Sequence, residues 1–274
     1  MTISAKEVQE LRKISGAGMM ECKVALSDAQ GDVDLAFKLL REKGIAKAEK
    51  KASRDANEGL IGIKVEGNVA VIIEINSETD FVSRNEVFHK LVNSVLDLSI
   101  KNNEDQEKIK SLSRDLINEA VGKIGENIVL RRFSIMRGNI HSYIHNTVNN
   151  GMGKIGVLIN IQSNSDIEQI GKNICMHVAA LNPKSISKED LDQNIINSEK
   201  EIIIQQLKDL GKPDNILNKM IEGKLNKFYE ESTLLNQKFV INPTISVEQY
   251  LKDSSSEVKS DITVKDFIRF EIGS

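Results

Sequence analysis

The chain predicts an α+β protein: an N-terminal three-helix bundle followed by a duplicated αβ core with an inserted antiparallel helical hairpin. Three observations carry this. A strand-to-helix pattern is written twice, 86 positions apart, as Gly67, Val69, Val71, Ile73, Ile75, Asp80 and then Gly153, Ile155, Val157, Ile159, Ile161, Asp166. The residues up to Gly44 break into three short amphipathic segments. Late in the chain, two apolar stripes flank Gly211-Lys212-Pro213, a helix stop and restart. The implied organisation is an N-terminal domain with linker helix at 1–53, a first core subdomain at 54–139, and a second at 140–274 holding the hairpin at about 187–229.

At the N-terminus, Ser4-x-x-Glu7 is a capping box that opens a helix with Val8, Leu11 and Ile14 on one face. Gly16-Ala17-Gly18 breaks it. A second helix carries Met20, Val24 and Ala25 to Gly31, and Asp32 caps a third whose Ala36, Phe37, Leu39 and Leu40 precede Gly44. A three-helix unit this small resembles the ubiquitin-associated (UBA) fold. Met19 and Met20 fall at the turn between its first two helices, where soft thioethers suit either a partner surface or the core. Lys43, Lys47, Lys50, Lys51 and Arg54 follow, mixed with Glu42, Glu49 and Asp55; mixed signs and good helix formers favour a solvated linker helix over a phosphate-binding strip.

The core opens with Leu60, Ile61 and Ile63 and turns at Glu66-Gly67-Asn68. In both copies the period-2 alternation predicts a half-buried strand, and the Asp that follows is positioned to cap the next helix. Phe88, Leu91, Val92 and Val95 face inward in the first of these helices, and Ile170, Ile174, Val178 and Leu181 in the second. The copies differ at the turn. In the first, Phe81 and Val82 interrupt the polar run Ser77-Glu78-Thr79-Asp80, so an apolar pair beside a carboxylate projects from the fold, or Asp80 caps the helix with Phe81 stapled beneath it. Ile109, Leu112, Leu116, Ala120 and Ile124 predict a helix ended by Gly122 and Gly125, and Ile128 to Met136 a strand.

After the second copy, Ser187-x-x-Asp190 introduces a long helix through Leu191, Ile195, Ile202 and Leu210. The restart carries Ile216, Leu217, Met220, Ile221, Leu225 and Phe228. So short a connection predicts antiparallel helices, either projecting as a coiled coil or packed on the sheet. Strands at Lys238 to Ile241 and Thr263 to Ile272, with a helix capped by Ser246, complete the expectation.

Composition narrows the function classes. With 40% hydrophobic and 28% charged residues the chain reads as globular, and a net charge of −3 argues against nucleic acid as a direct ligand. No apolar run approaches the roughly 18 residues of a spanning helix and Met1-Thr2-Ile3-Ser4 starts no signal peptide, which gives a cytosolic expectation with no membrane partner. Cys22 and Cys175 lack a CxxC partner and read as free buried thiols. Phosphate-loop, GxSxG, HExxH and GxGxxG motifs are missing, so no cofactor, metal or catalytic residue is nominated. His141 and His145 share a strand face but stand about 13 Å apart, too far to share a metal. Lone polar or packing roles suit all four histidines. An enzyme is the weaker class, and an adaptor built on the UBA-like bundle stays open.

Longer motifs add what periodicity does not. Leu11-Arg12 with Gly16-Ala17-Gly18-Met19-Met20-Glu21-Cys22-Lys23-Val24-Ala25-Leu26 and Gly31-Asp32 resembles the opening signature of the bacterial elongation factor Ts family. Thr79-Asp80-Phe81-Val82 resembles its exchange loop, and Lys123-Ile124-Gly125-Glu126-Asn127-Ile128 with Arg131-Arg132 its middle motif. Ile155-Gly156-Val157-Leu158, Met176-His177-Val178-Ala179-Ala180, Gly211-Lys212-Pro213 and Glu222-Gly223-Lys224 continue the likeness in order over nearly the whole chain.

The resemblance implies a guanine-nucleotide exchange factor in translation elongation whose partner is GDP-bound elongation factor Tu, a GTPase. It implies that Phe81 enters between helices of the GTPase domain with Asp80 beside it, displacing magnesium and loosening the phosphate loop. Thr79 and Val82 flank them, Met19 and Met20 touch the same domain, and His145 leans on another. It thereby favours the projecting reading of Phe81. Three departures stand out: the long stretch Asn146 to Gly153 where the family turns quickly, Lys224 where arginine is common, and no counterpart after Ser274 of the C-terminal helical module many members carry.

Overall fold

The computed structural model of the chain describes residues 3–208 and 213–274. Leu210 and Gly211-Lys212 of the expected helix stop lie outside them. Helices α1 (Ala5–Ser15), α2 (Met19–Asp28) and α3 (Val33–Lys51) come first, followed by strands β1 (Glu58–Glu66) and β2 (Val69–Ser77). A 3₁₀ turn at Val82–Arg84 then leads to α4 (Glu86–Lys101), α5 (Gln106–Ile124), β3 (Ile128–Arg137), β4 (Ile140–His145), β5 (Met152–Gly153) and β6 (Ile155–Gln162). Helices α6 (Glu168–Leu181), α7 (Gln193–Leu207), α8 (Asp214–Ser232) and α9 (Val247–Val258) precede β7 (Thr263–Glu271). The mixture is α+β, as the patterns predict. No helix among the described residues is long and apolar enough to cross a membrane.

The chain forms two compact units. The first takes everything up to Ile135 together with Asn146–Ile155 and Phe270–Ser274. The second takes Met136–His145 and Gly156–Arg269.

In the first unit, α1 to α3 close around Val8, Leu11, Cys22, Ala25, Leu26 and Ala36. The Ser4–Glu7 box is formed, with the Glu7 amide donating to Ser4 Oγ at 3.2 Å and the Ser4 amide to Glu7 Oε2 at 2.7 Å. Ile14 falls outside the buried face and is exposed. The third helix does not stop at Gly44: α3 runs on through the lysine-rich stretch expected to be a separate linker helix. Gly122 likewise lies inside α5, and Gly125 alone ends that helix, in the left-handed region at φ +84°. The two corrections share one cause. A Cβ built on Gly122 would lie 3.6 Å from Gly44 Cα, so the glycines face each other where α3 crosses α5 and let the backbones approach. A groove of about 470 Å³ runs beside this crossing, lined by Met20, Val24, Phe37, Leu40 and Ile45.

The first unit's sheet has the order β3-β2-β1-β5. β1 and β2 form an antiparallel hairpin closed by Gly67-Asn68, with Glu66 opposite Val69. β2 is not half-buried as alternation predicts. Its second face is covered too, and that face includes Glu74 at 1% exposure and Asn76 at 0%. Phe88, Leu91, Val92 and Val95 of α4 cover Val71, Ile73 and Ile75 on the other side.

In the second unit the sheet order is β4-β6-β7. Ile174 and Val178 of α6 are buried, whereas Leu181 is exposed. Gly171 is required here, because a Cβ on it would collide with the His141 ring of β4. Ser187 and Asp190 close a loop rather than starting a helix; Asp192 caps α7, and Leu191 is buried ahead of it. Ile203 and Leu207 turn inward on α7 in place of the expected Ile202, which is exposed. α7 and α8 meet, with Lys224 Nζ donating to Gln206 Oε1 at 2.7 Å. Lys238–Ile241 makes a single bridge to Ser246 rather than a strand.

Of the four histidines, His177 is the most enclosed. Its Nδ1 accepts from the Val240 amide at 3.1 Å, which leaves Nε2–H to donate to Gln237 Oε1 at 2.9 Å. Burial lowers its pKa from the ordinary 6.5, with the Gln237 hydrogen bond acting in the opposite sense. The unfolded chain therefore takes up this proton first, so the contribution is complete above pH 6.5 and is lost as pH falls below it toward the lowered value. We expect urea midpoints to fall between pH 7.5 and 5.5 in the wild type, and to fall less in His177→Gln. Equal slopes would remove His177 from the account.

Candidate functional site

The two copies of the strand-helix pattern diverge where the site forms. β2 and β6 begin at 69 and 155, 86 positions apart, but α4 and α6 begin at 86 and 168, only 82 apart. The extra residues of the first copy include the Val82–Arg84 turn. Asp80 does not cap α4. Asn85 does, its Oδ1 accepting from the Val87 amide at 2.8 Å. In the second copy Asp166 is nearer to the expectation, accepting from the Glu168 amide at 3.1 Å.

Freed from capping, Asp80 has no side-chain partner among the described residues and is exposed. Phe81 is 79% exposed, so it is not a staple under the helix. Val82 corrects the projecting-pair expectation: it is buried in the core against the β2 and α4 side chains and anchors the turn from below. One apolar side chain points out and the next points in. Three backbone hydrogen bonds wind the turn, from Ser83 to Asp80, Arg84 to Phe81 and Asn85 to Val82 at 2.9–3.1 Å, and Ser83 Oγ adds a fourth to Asp80 O at 2.6 Å.

The strand side of the turn is held by residues that spacing alone did not single out. Glu126 accepts from the Thr79 amide at 3.0 Å and from Thr79 Oγ1 at 2.7 Å. Glu78 accepts from the Asn127 amide at 2.6 Å and pairs with Arg54 at 3.4 Å. The Asn127 hydrogen bond, with the Arg54 charge helping, holds the Glu78 carboxyl below its ordinary 4.5. Asn127 Nδ2 donates to Arg54 O at 2.7 Å, and Lys51 Nζ to Gly125 O. Their one sequence signal is Gly-Glu-Asn between a helix end and a strand, a triplet that fits neither period.

Removing the Glu126 carboxylate tests this clamp. A hydrogen bond to a charged group contributes about 1.5–3 kcal/mol, less at a partly exposed site. We expect Glu126→Ala to speed amide exchange at Thr79 by roughly tenfold with the global melt nearly unchanged, and Glu126→Gln to fall between. An unaltered Thr79 rate would remove the clamp.

Met19 and Met20 open α2 and are 50% and 68% exposed, so neither fills the core. Met20 forms one lip of the groove beside the α3–α5 crossing. His145 belongs to the second unit, where it is exposed at the end of β4 and shares a hydrogen bond of 3.1 Å between its Nδ1 and Tyr143 Oη. His141, on the same strand, is buried with Nδ1 3.3 Å from Glu168 Oε2. Cys175 is buried and its thiol is pushed far up by desolvation, so it stays protonated and inert. No group of three His, Cys, Asp or Glu among the described residues could hold a metal.

The braced turn thus holds its aromatic ring out in water while its neighbour Val82 is anchored in the core. The elongation factor Ts family model matches residues 78–274, a span that includes this turn. Elongation factor Ts of Bartonella bacilliformis is 43% identical over 287 residues, covering 100% of this chain and 94% of its own length. That of Brucella anthropi is 44% identical over 285 residues, with 100% and 93% covered, and that of Parvibaculum lavamentivorans 43%, with 99% and 92%. The chain belongs to the elongation factor Ts family. That places it among the elongation factors of protein synthesis.

Proposed function

We propose that this chain is a guanine-nucleotide exchange factor for elongation factor Tu, acting by insertion of Phe81 into the GTPase domain. The observation that carries the reading is Phe81 itself: a large ring left in water on a turn held from both ends. Asp80 stands beside it with a free carboxylate, and Thr79, clamped by Glu126, fixes where the turn leaves the sheet. Val82 contributes as the buried anchor. Met19 and Met20 supply a second apolar contact to the same partner domain and His145 a polar one to another.

Magnesium bridges phosphate oxygens and protein ligands in such GTPases, so displacing it removes charge neutralisation from the nucleotide. Factor and nucleotide then weaken one another by the same factor at equilibrium. A weakening of ~10⁴-fold takes about 5.5 kcal/mol. Burying one Phe supplies only about 1.5–3 kcal/mol. The remainder has to come from a broad surface whose binding energy distorts the partner, which suits a factor of two units. In this division Phe81 directs the distortion and the other contacts drive it. Release of fluorescent GDP from the cognate GTPase, followed with increasing factor, tests the reading. Acceleration that saturates supports it, and release no faster than from the GTPase alone refutes it.

A further inference from the structure

We propose that the asparagine-rich loop 146–151 is a positioning element for the exchange turn, acting through His89, so that Asn149 and His89 govern how Phe81 is presented. The inference rests on the exchange reading above and deepens it. Neither residue touches the partner in this account; both act on Asp80 to Asn85.

The loop is built rather than slack. Asn146 and Gly151 take positive φ, at +51° and +69°. The Val148 amide donates to Met152 O at 2.9 Å and the Met152 amide returns to Asn149 O at 2.9 Å. Gly151 O accepts from the Ile63 amide at 2.9 Å, while Met152 is wholly buried in the core of the first unit and opposes Gly62 of β1. Asn149 is thus fixed to the edge of β1.

Its side chain has one orientation available. Asn149 Oδ1 accepts from the Asn150 amide at 2.7 Å, which turns Nδ2 toward Nδ1 of His89 at 3.0 Å. Asn149 can only donate there, so Nδ1 is an acceptor and the imidazole proton sits on Nε2. That N–H meets Ser83 O at 2.8 Å. Ser83 in turn donates twice to Asp80 O, through its amide and its hydroxyl. The path Asn149, His89, Ser83, Asp80 is a continuous directional chain ending next to Phe81.

The turn needs such support. A 3₁₀ segment of three residues has poor hydrogen-bond geometry and little stability of its own. Glu126 holds its start through Thr79, and the His89 path holds its middle. With both in place, the direction of Phe81 is set before the partner arrives, which avoids ordering cost on binding.

The test uses the full chain with Asn149→Ala, His89→Ala, His89→Gln and the Asn149→Ala/His89→Gln pair. Amide exchange at Ser83, Arg84 and Asn85 reads the turn without any partner. Loss of one hydrogen bond corresponds to roughly a fivefold change. We expect Asn149→Ala to speed exchange of these amides by about fivefold and His89→Ala by about tenfold or more, with the core of β2 unaffected. Glutamine can keep the donor to Ser83 O while losing contact with Asn149. His89→Gln should therefore restore much of the protection, and Asn149→Ala should add nothing on that background.

In GDP release, the maximal rate should fall by about three- to tenfold while the half-saturating concentration moves less than twofold. Turn amides unchanged by Asn149→Ala, equal effects of Asn149→Ala in both backgrounds, or a shift confined to half-saturation would each overturn the proposal. If the wild type fails to accelerate release, the exchange reading falls, and the amide measurements still decide whether the path holds the turn.

Discussion

Alanine at both Asp80 and Phe81 should slow factor-stimulated GDP release by roughly 10- to 100-fold while leaving the chain as stable as the wild type. The two halves follow from one fact, the exposure of the ring. A side chain already in water contributes little to folding, so its removal stays within about ±0.5 kcal/mol. The turn itself survives, because it is closed through the backbone carbonyl of Asp80 and through Val82, which the substitutions leave in place. What is lost is the roughly 1.5–3 kcal/mol of apolar burial that becomes available only against the partner. Stopped-flow release of fluorescent GDP at saturating factor, paired with a thermal melt, separates the two halves. Unimpaired release by the double variant would refute insertion of Phe81, whatever else the chain binds.

Features that depend on neighbours in sequence were legible in it. The Ser4–Glu7 box, the Asp32 cap, the Gly67-Asn68 hairpin and the inward face of α4 are local, and each formed as its residues dictate. The repeated pattern pointed to the turn that displays Phe81, because its interruption by Phe81 and Val82 stood out against a copy that lacks them. Which of the two pointed outward was not legible in the pattern alone, and only the family resemblance favoured Phe81. A 3₁₀ turn inserted before α4 decides that, and Asn85 takes the cap that Asp80 was positioned to supply.

The remainder depended on partners distant in the chain. Gly44 and Gly122 look like helix ends until each is seen facing the other. Even numbered positions of β2 look solvent-facing until Glu74 acquires Arg132. Glu126 lies 47 positions from Thr79, and Asn149 lies 60 from His89, so neither helical nor strand periodicity could pair them. The motif likeness includes Glu126 without giving it a role, and His89 carries only a polar or packing expectation. Residues that hold such a turn in place are thus less visible in sequence than the residue it displays.

Arg132→Ala is expected to destabilise the first unit by about 3 kcal/mol, the low end of the 3–5 kcal/mol typical of breaking a buried pair. Glu74 is 1% exposed in the middle of β2, with Oε2 2.6 Å from Arg132 Nε and Oε1 3.2 Å from Asn76 Nδ2. Removing the guanidinium strands that carboxylate in the core. Arg132 also donates from Nη2 to Glu271 O and Ser274 Oγ and lies 4.4 Å over the Phe270 ring, so the same change releases the end of the chain. The low end applies because the Arg132 side chain keeps 36% of its surface in water and its charge is partly solvated already. Lysine at 132 should recover only part of the loss, since a point charge cannot hold Glu74 and the terminal carbonyl together as the planar fork does. Replacing both partners, as Arg132→Met with Glu74→Leu, should cost less than Arg132→Ala alone, because no charge is then left buried. Urea unfolding of the four proteins measures this directly. A double variant less stable than Arg132→Ala would mean that the pair stabilises the sheet outright, and that desolvation of Glu74 is not the dominant cost.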